Sequence, residues 1–162
     1  MLLGIPFQTA YVTSDLDRAC AMLAQKLGVQ RLLRQEEVTI DTDKGPMLLA
    51  LAHGWVGPTW LEVIRPIDGA VAIYRDWLSG GAAFRFHHVG VRAPDPQAYE
   101  RALQEAQAPG YPICFRIDNP AFQAFYADTA KDLGHYVEYL HFLDTSFFRA
   151  LPQNVEGADI PS

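Results

Sequence analysis

Phe86-His87-His88-Val89-Gly90-Val91-Arg92-Ala93-Pro94-Asp95 decides the reading of this chain, because its pattern occurs once more, at Phe7-Gln8-Thr9-Ala10-Tyr11-Val12-Thr13-Ser14-Asp15. Each stretch runs as a short apolar strand into an Asp able to cap a helix. Gln8 and His88 open the strands, Asp15 and Asp95 close them, and both pairs stand 80 residues apart. This spacing marks a duplicated module. The module ends correspond too: Trp60-Leu61-Glu62-Val63-Ile64 closes the first and Tyr136-Val137-Glu138-Tyr139-Leu140 the second, each with a Glu inside an apolar strand.

A carboxylate in such a strand either faces water at a sheet edge, the ordinary fate of Glu, or is buried and needs a partner, since an unpaired buried charge loses its hydration. Two such Glu, one per module, ask for a shared partner. A cation on the axis relating the modules would satisfy Gln8, Glu62, His88 and Glu138 together. One imidazole, two carboxylates and one amide oxygen form a hard set suited to an octahedral divalent ion with open water positions, such as Zn, Ni, Co, Mn or Mg.

The 162 residues suit a single domain, 1–162, able to bury a sizeable core. With 49% hydrophobic and 20% charged residues, neither disorder nor a membrane span is indicated. Met1-Leu2-Leu3-Gly4 lacks the basic start and extended apolar core of a signal peptide, so a cytoplasmic protein is expected. Cys20 and Cys114 read as small buried hydrophobes rather than a disulfide. A net charge of −6 argues against nucleic acid as a partner.

The first module, about 5–66, reads as a strand over 5–13, a helix capped by Ser14 or Asp15, and strands over 30–40, 46–53 and 59–66. Leu16, Ala19, Cys20, Leu23, Ala24 and Leu27 form the helix's apolar stripe, and Gly28 ends it. Asp41 to Pro46 and His53 to Pro58 read as turns. A linker, 67–83, holds a short helical pattern and ends on Gly80-Gly81, a hinge able to absorb a backbone change. The second module, about 84–142, repeats the scheme: Asp95-Pro96 starts a helix, Pro109-Gly110 ends it, and strands follow near 111–118, 121–128 and 135–142. In the tail, 143–162, Phe147, Phe148 and Leu151 sit on a possible helical turn that covers a sheet edge or a partner subunit, and a polar end should fray. Left in water, those aromatics favour a homodimer.

The chain resembles the vicinal oxygen chelate superfamily, the glyoxalase/bleomycin-resistance/dioxygenase group. The resemblance rests on Gln8 with Asp15, His88 with Asp95, Leu27-Gly28, Leu61-Glu62-Val63-Ile64-Arg65-Pro66 and Gly134-His135-Tyr136-Val137-Glu138-Tyr139-Leu140, over about residues 5–142. It implies an α+β fold in which two βαβββ modules pair into a cupped mixed β-sheet with flanking helices, around a divalent metal held by Gln8, Glu62, His88 and Glu138. It further implies a small-molecule substrate and no membrane. Strand alternation would place Phe86 on the side of His88, Trp60 and Ile64 on that of Glu62, and Tyr136 and Leu140 on that of Glu138, an apolar, partly aromatic cup. His87, His135 and His141 have the opposite parity and read as surface or core-packing residues. His53 falls in a Gly-rich turn near the mouth.

The implied activity is that of a metal-dependent isomerase, lyase or epimerase: a vicinal-oxygen substrate loses a proton to a Glu and passes through a metal-stabilised enediolate. Superfamily analogy gives the base as Glu138, with Glu62 as its partner on the opposite face. The ligand set is similar to that of eukaryotic lactoylglutathione lyases, but Val12 and Pro66 stand where those enzymes hold glutathione with Arg and Asn, and Arg85 is displaced by one. Epimerases of acyl-CoA thioesters use a related site, and no basic patch for CoA phosphates is evident here. The alternative is a metal-free module that sequesters an aromatic or cationic ligand. A ring-cleaving iron dioxygenase, needing two His, fits less well.

Overall fold

Asp15 begins the first helix as its position predicts: its side chain accepts from Arg18 N at 3.0 Å, and Asp95 accepts from Ala98 N at 2.7 Å in the second repeat. In the computed structural model, which describes residues 4–79, 83–108 and 110–156, the first repeat is β1 (Ile5–Thr13), α1 (Leu16–Leu27), β2 (Leu33–Thr42), β3 (Gly45–Val56) and β4 (Thr59–Gly69). The second is β5 (Phe84–Arg92), α2 (Pro96–Gln107), β6 (Ile113–Asp118), β7 (Phe122–Ala127) and β8 (Tyr136–Phe142). The eight strands form one sheet in the order β2-β3-β4-β1-β5-β8-β7-β6. β1 runs parallel to β4, β5 parallel to β8, and the two halves meet where β1 and β5 pair antiparallel. The sheet curls until its outer strands approach, and Asp43 bridges them: its N–H donates to Arg116 O at 3.1 Å and its carboxylate accepts from Arg116 N at 2.8 Å.

Both long helices lie on the convex side. Leu16, Ala19 and Leu23 of α1 pack on Ala50, Ala52, Leu61 and Val63, while Ala98, Tyr99, Ala102 and Ala106 of α2 pack on Phe125, Ala127, Val137 and Tyr139. Leu27 leaves the predicted stripe and is 69% exposed. Gly28 stops α1 at φ 71 and donates to Ala24 O. α2 ends at Gln107 with Ala108 extended, as suits a residue preceding proline; Pro109 itself, like Gly80 and Gly81, lies outside the described residues.

The expected turn over His53 to Pro58 is corrected. β3 runs on to Val56 and reverses only at Gly57 and Pro58, pairing Val56 with Thr59, Trp55 with Trp60 and His53 with Glu62. Gly54 serves close approach rather than a turn, since a Cβ there would lie 2.8 Å from Arg31 O.

The linker forms a short helix, Ala72–Arg75, and a 3-10 turn, Asp76–Leu78, seated on the concave side. Ala130–Leu133 adds a helical turn before β8. The tail forms one at Ser146–Ala150 and folds back: Trp55 donates from Nε1 to Phe148 O and from its backbone N to Pro152 O, both at 2.8 Å. Of the polar end expected to fray, 157–162 lie outside the described residues; ahead of them the Asn154 side chain accepts from Gln30 N and Arg31 N and donates to Arg31 O and Trp55 O. Phe148 and Leu151 are buried against their own chain, which removes the reason for expecting a homodimer. Among the described residues no helix is long and apolar enough to cross a membrane.

Candidate metal centre

The seam between β1 and β5 places the candidate ligands. Ala10 pairs with Glu62 on one side and His88 on the other, while Gly90 pairs with Gln8 on one side and Glu138 on the other. All four polar side chains therefore converge on the concave face within one chain. His88 Nε2 lies 3.2 Å from Glu138 Oε2 and 3.6 Å from Glu62 Oε2, and one potential ligand atom from each of the three residues falls within 4.8 Å of the others. Gln8 Nε2 donates to Glu62 Oε2 at 3.0 Å. The amide of Gln8 fits only because residue 90 is glycine: a Cβ there would overlap it.

A β-bulge overturns one expectation about the cup. The β1–β5 register slips between Ala10↔His88 and Tyr11↔Phe86, leaving His87 as an inserted residue. Phe86 is thereby turned from the cup onto Tyr11 and His135, with ring centroids 5.6 and 5.3 Å away. His87, unlike a strictly alternating residue, swings to the side of His88, fully buried, with 2.9 Å between the two Nδ1 atoms. Trp60, Ile64 and Leu140 line a void of about 50 Å³ beside Glu62 and Glu138. Tyr136 instead packs beneath Trp77 and His87.

Two neighbours, Tyr126 and Tyr74, were not foreseen, and a third, His53, expected in a turn near the mouth, lies in a strand beside Glu62. His53, 3% exposed, stacks on Trp60 and places Nδ1 3.6 Å from Glu62 Oε1, a contact too long for a hydrogen bond. Its cross-strand pairing with Glu62 over a two-residue turn was the signal available. Tyr126, paired with Glu138 across β7 and β8, brings its hydroxyl within 3.4 Å of His88 Nε2, and Tyr74 donates to that hydroxyl at 3.2 Å.

No protein-family model matches the chain, and no curated protein does. Solved structures do. Methylmalonyl-CoA epimerase from Mycobacterium tuberculosis superposes with a TM-score of 0.57 over 92% of this chain and 93% of that one, at 19% identity. A Streptomyces coelicolor methylmalonyl-CoA epimerase variant in complex with 2-nitronate-propionyl-CoA gives 0.59 over 86% and 98%, at 13% identity. A hypothetical protein from Bacillus halodurans gives 0.57 over 84% and 92%, at 12% identity. The chain has the vicinal oxygen chelate fold.

In this vicinal oxygen chelate cup burial sets the electrostatics. Burial drives the Glu138 pKa up to about 8 against the pull of the Tyr126 hydrogen bond, and burial together with the Glu138 charge raises Glu62 well above its usual value. Burial lowers His53 to about 4; burial and, after it, the nearby His135 lower His88 to about 3. Gln8 Oε1 and both ring nitrogens of His53 find no hydrogen-bond partner among the described residues. Two buried carboxyls, a neutral imidazole and an orphaned amide oxygen at one point fit a divalent ion, which would relieve all of them. Outward of the void lies a cleft of about 550 Å³, walled by Trp60, Phe122, Phe147 and Phe148 and reaching Glu62 and His53.

Proposed function

We propose that this chain is an isomerase of the epimerase type that binds a divalent ion through Gln8, Glu62, His88 and Glu138 and moves a proton on the carbon next to a pair of substrate oxygens. The observation that carries it is the buried Glu62–His88–Glu138 cluster. When bound, the ion supplies a Lewis acid that polarises the substrate oxygens and acidifies the adjacent C–H bond. Glu138, in the apolar cup beside the ion's place, is the residue that takes that proton, since burial makes its carboxylate a stronger base than an exposed one. Tyr126 returns hydrogen-bond support to Glu138, and Gln8 holds Glu62, the proposed partner on the opposite face. Trp60, Ile64 and Leu140 keep water from the reacting carbon.

Epimerases of the same fold are solved with methylmalonyl-CoA and with a CoA nitronate. In this chain the charged residues lining the outer cleft are Asp41, Asp118, Asp144 and Glu62, with no Lys or Arg among the described lining residues. That lining opposes a polyphosphate, so the proposed substrate is a small vicinal-oxygen compound without a CoA handle. The aromatic walls of the cleft also suit the second reading, a metal-free module that holds an aromatic or cationic ligand.

Proton exchange separates the two readings. Protein loaded with Zn or Mn should exchange the carbon-bound proton of a small hydroxyketone for solvent deuterium, measured by proton NMR, and Glu138→Gln should lose at least 100-fold of that rate, the lower end of what one acid–base group contributes, about 10²–10⁴-fold. Wild-type protein that takes up no metal and catalyses no exchange, yet binds aromatic cations, would establish the second reading instead.

A further inference from the structure

The buried histidine pair carries a further assignment, one that rests on His88 being a ligand only for its consequence, not for its geometry. A backbone carbonyl can only accept, so His87 Nε2, 3.2 Å from Ile73 O, carries a hydrogen. His87 is wholly buried and meets no carboxylate among the described residues, so its ring is neutral and its Nδ1 is a bare lone pair. His88 Nδ1 lies 2.9 Å from that lone pair, and two lone pairs cannot face each other at such a distance. His88 Nδ1 must therefore be the N–H donor. Its Nε2 is left bare, directed at Glu138 Oε2 3.2 Å away and at Tyr126 Oη 3.4 Å away.

We propose that His87 is a positioning residue that fixes the tautomer of His88, taking its reference from the Ile73 carbonyl of the linker. The bulge in β5 makes this possible, since an unbulged strand would send residues 87 and 88 to opposite faces. The linker is in turn held to the same spot. Trp77 Nε1 donates to Phe86 O at 2.7 Å, and Tyr74 meets Tyr126. The chain of contacts Ile73 O, His87, His88 runs from a segment outside both repeats to the centre of the cup. A ligating imidazole needs its other nitrogen to donate to an oriented acceptor, and here that acceptor is a second histidine.

The test uses ring-labelled ¹⁵N-histidine protein, first without metal and then titrated with Zn against a competing chelator. Long-range ¹H–¹⁵N spectra of the metal-free wild type should show His88 protonated at Nδ1 and bare at Nε2. His87→Phe fills the space without an acceptor; it should shift His88 toward the Nε2–H form and weaken Zn binding about 10- to 100-fold, the usual cost of losing such a partner. His87→Gln, whose amide can donate to Ile73 O and accept from His88, should restore both readouts toward wild type. A wild-type His88 found as Nε2–H, or a folded His87→Phe that binds Zn as tightly as wild type, overturns the proposal. If His87→Phe does not fold, the wild-type and His87→Gln spectra decide. Absence of Zn binding by a wild type with the expected tautomer would sink the metal-site reading and leave the tautomer assignment standing.

Discussion

Glu138 and Glu62 hold their protons far above the pH at which an exposed Glu loses them, because burial disfavours the charged form. Between about 4.5, where the unfolded chain releases the Glu138 proton, and about 8, where the folded one does, the folded state binds more protons. Stability therefore falls as pH rises through that window, by at most about 1.4 kcal/mol per pH unit for each such carboxyl. His53 and His88 act in the opposite sense. Their folded values, about 4 and about 3, lie below the unfolded 6.5, so their contribution is present above 6.5 and lost as pH falls. With His87, which burial also lowers, three imidazoles outweigh two carboxyls below pH 6.5, so metal-free protein should be most stable near pH 6.5 and lose melting temperature toward pH 8. Excess Zn should reverse the upper limb, because the ion binds the deprotonated carboxyls. Melting curves in chelator and in Zn across pH 5–8 check this, and a chelated protein with a flat profile above 6.5 speaks against it. At this scale the four polar positions were legible because a Glu inside an apolar strand is costly wherever it lies. His53 was not, because Gly54, Gly57 and Pro58 around it give a strand the composition of a turn.

Among the elements, β5 decides most. Its alternation told correctly that His88 and Gly90 share a face, and wrongly that Phe86 joins them, since an inserted residue is invisible to a period-2 pattern. Gly90 reads in the sequence as a weak point of a strand, yet in the sheet it is the recess that accepts the Gln8 side chain from β1. Gly90→Ala should therefore expel that amide from its seat. The expected cost is about 1–3 kcal/mol of stability, as for other overpacked sites, with weaker metal binding, measured by urea denaturation and chelator competition. Unchanged values for both would mean that Gln8 moves without consequence. Helix boundaries were the most legible part, because Asp15, Gly28 and Asp95 act through their own immediate backbone and need no tertiary context.

For the whole molecule, both halves of the cup come from one chain: Gln8 and Glu62 from the first repeat face His88 and Glu138 from the second across the β1–β5 seam. Mixing Gln8→Ala chains with Glu138→Ala chains, even after verified subunit exchange, should accordingly restore no metal sites, as metal analysis of the mixture would show. Recovered sites would require ligands shared between subunits. The 80-residue repeat told which halves face each other but left open whether one chain or two supply them, and the return of the tail did not follow from it either, because residues 143–154 have no counterpart in the first repeat. That return has a consequence in time. Phe148, which packs on Trp60 with ring centroids 4.7 Å apart, leaves the ribosome after all eight strands. A nascent chain can thus complete its sheet with the aromatic floor of the cleft still uncovered, so the last dozen described residues set when the growing polypeptide stops presenting a sticky surface to chaperones.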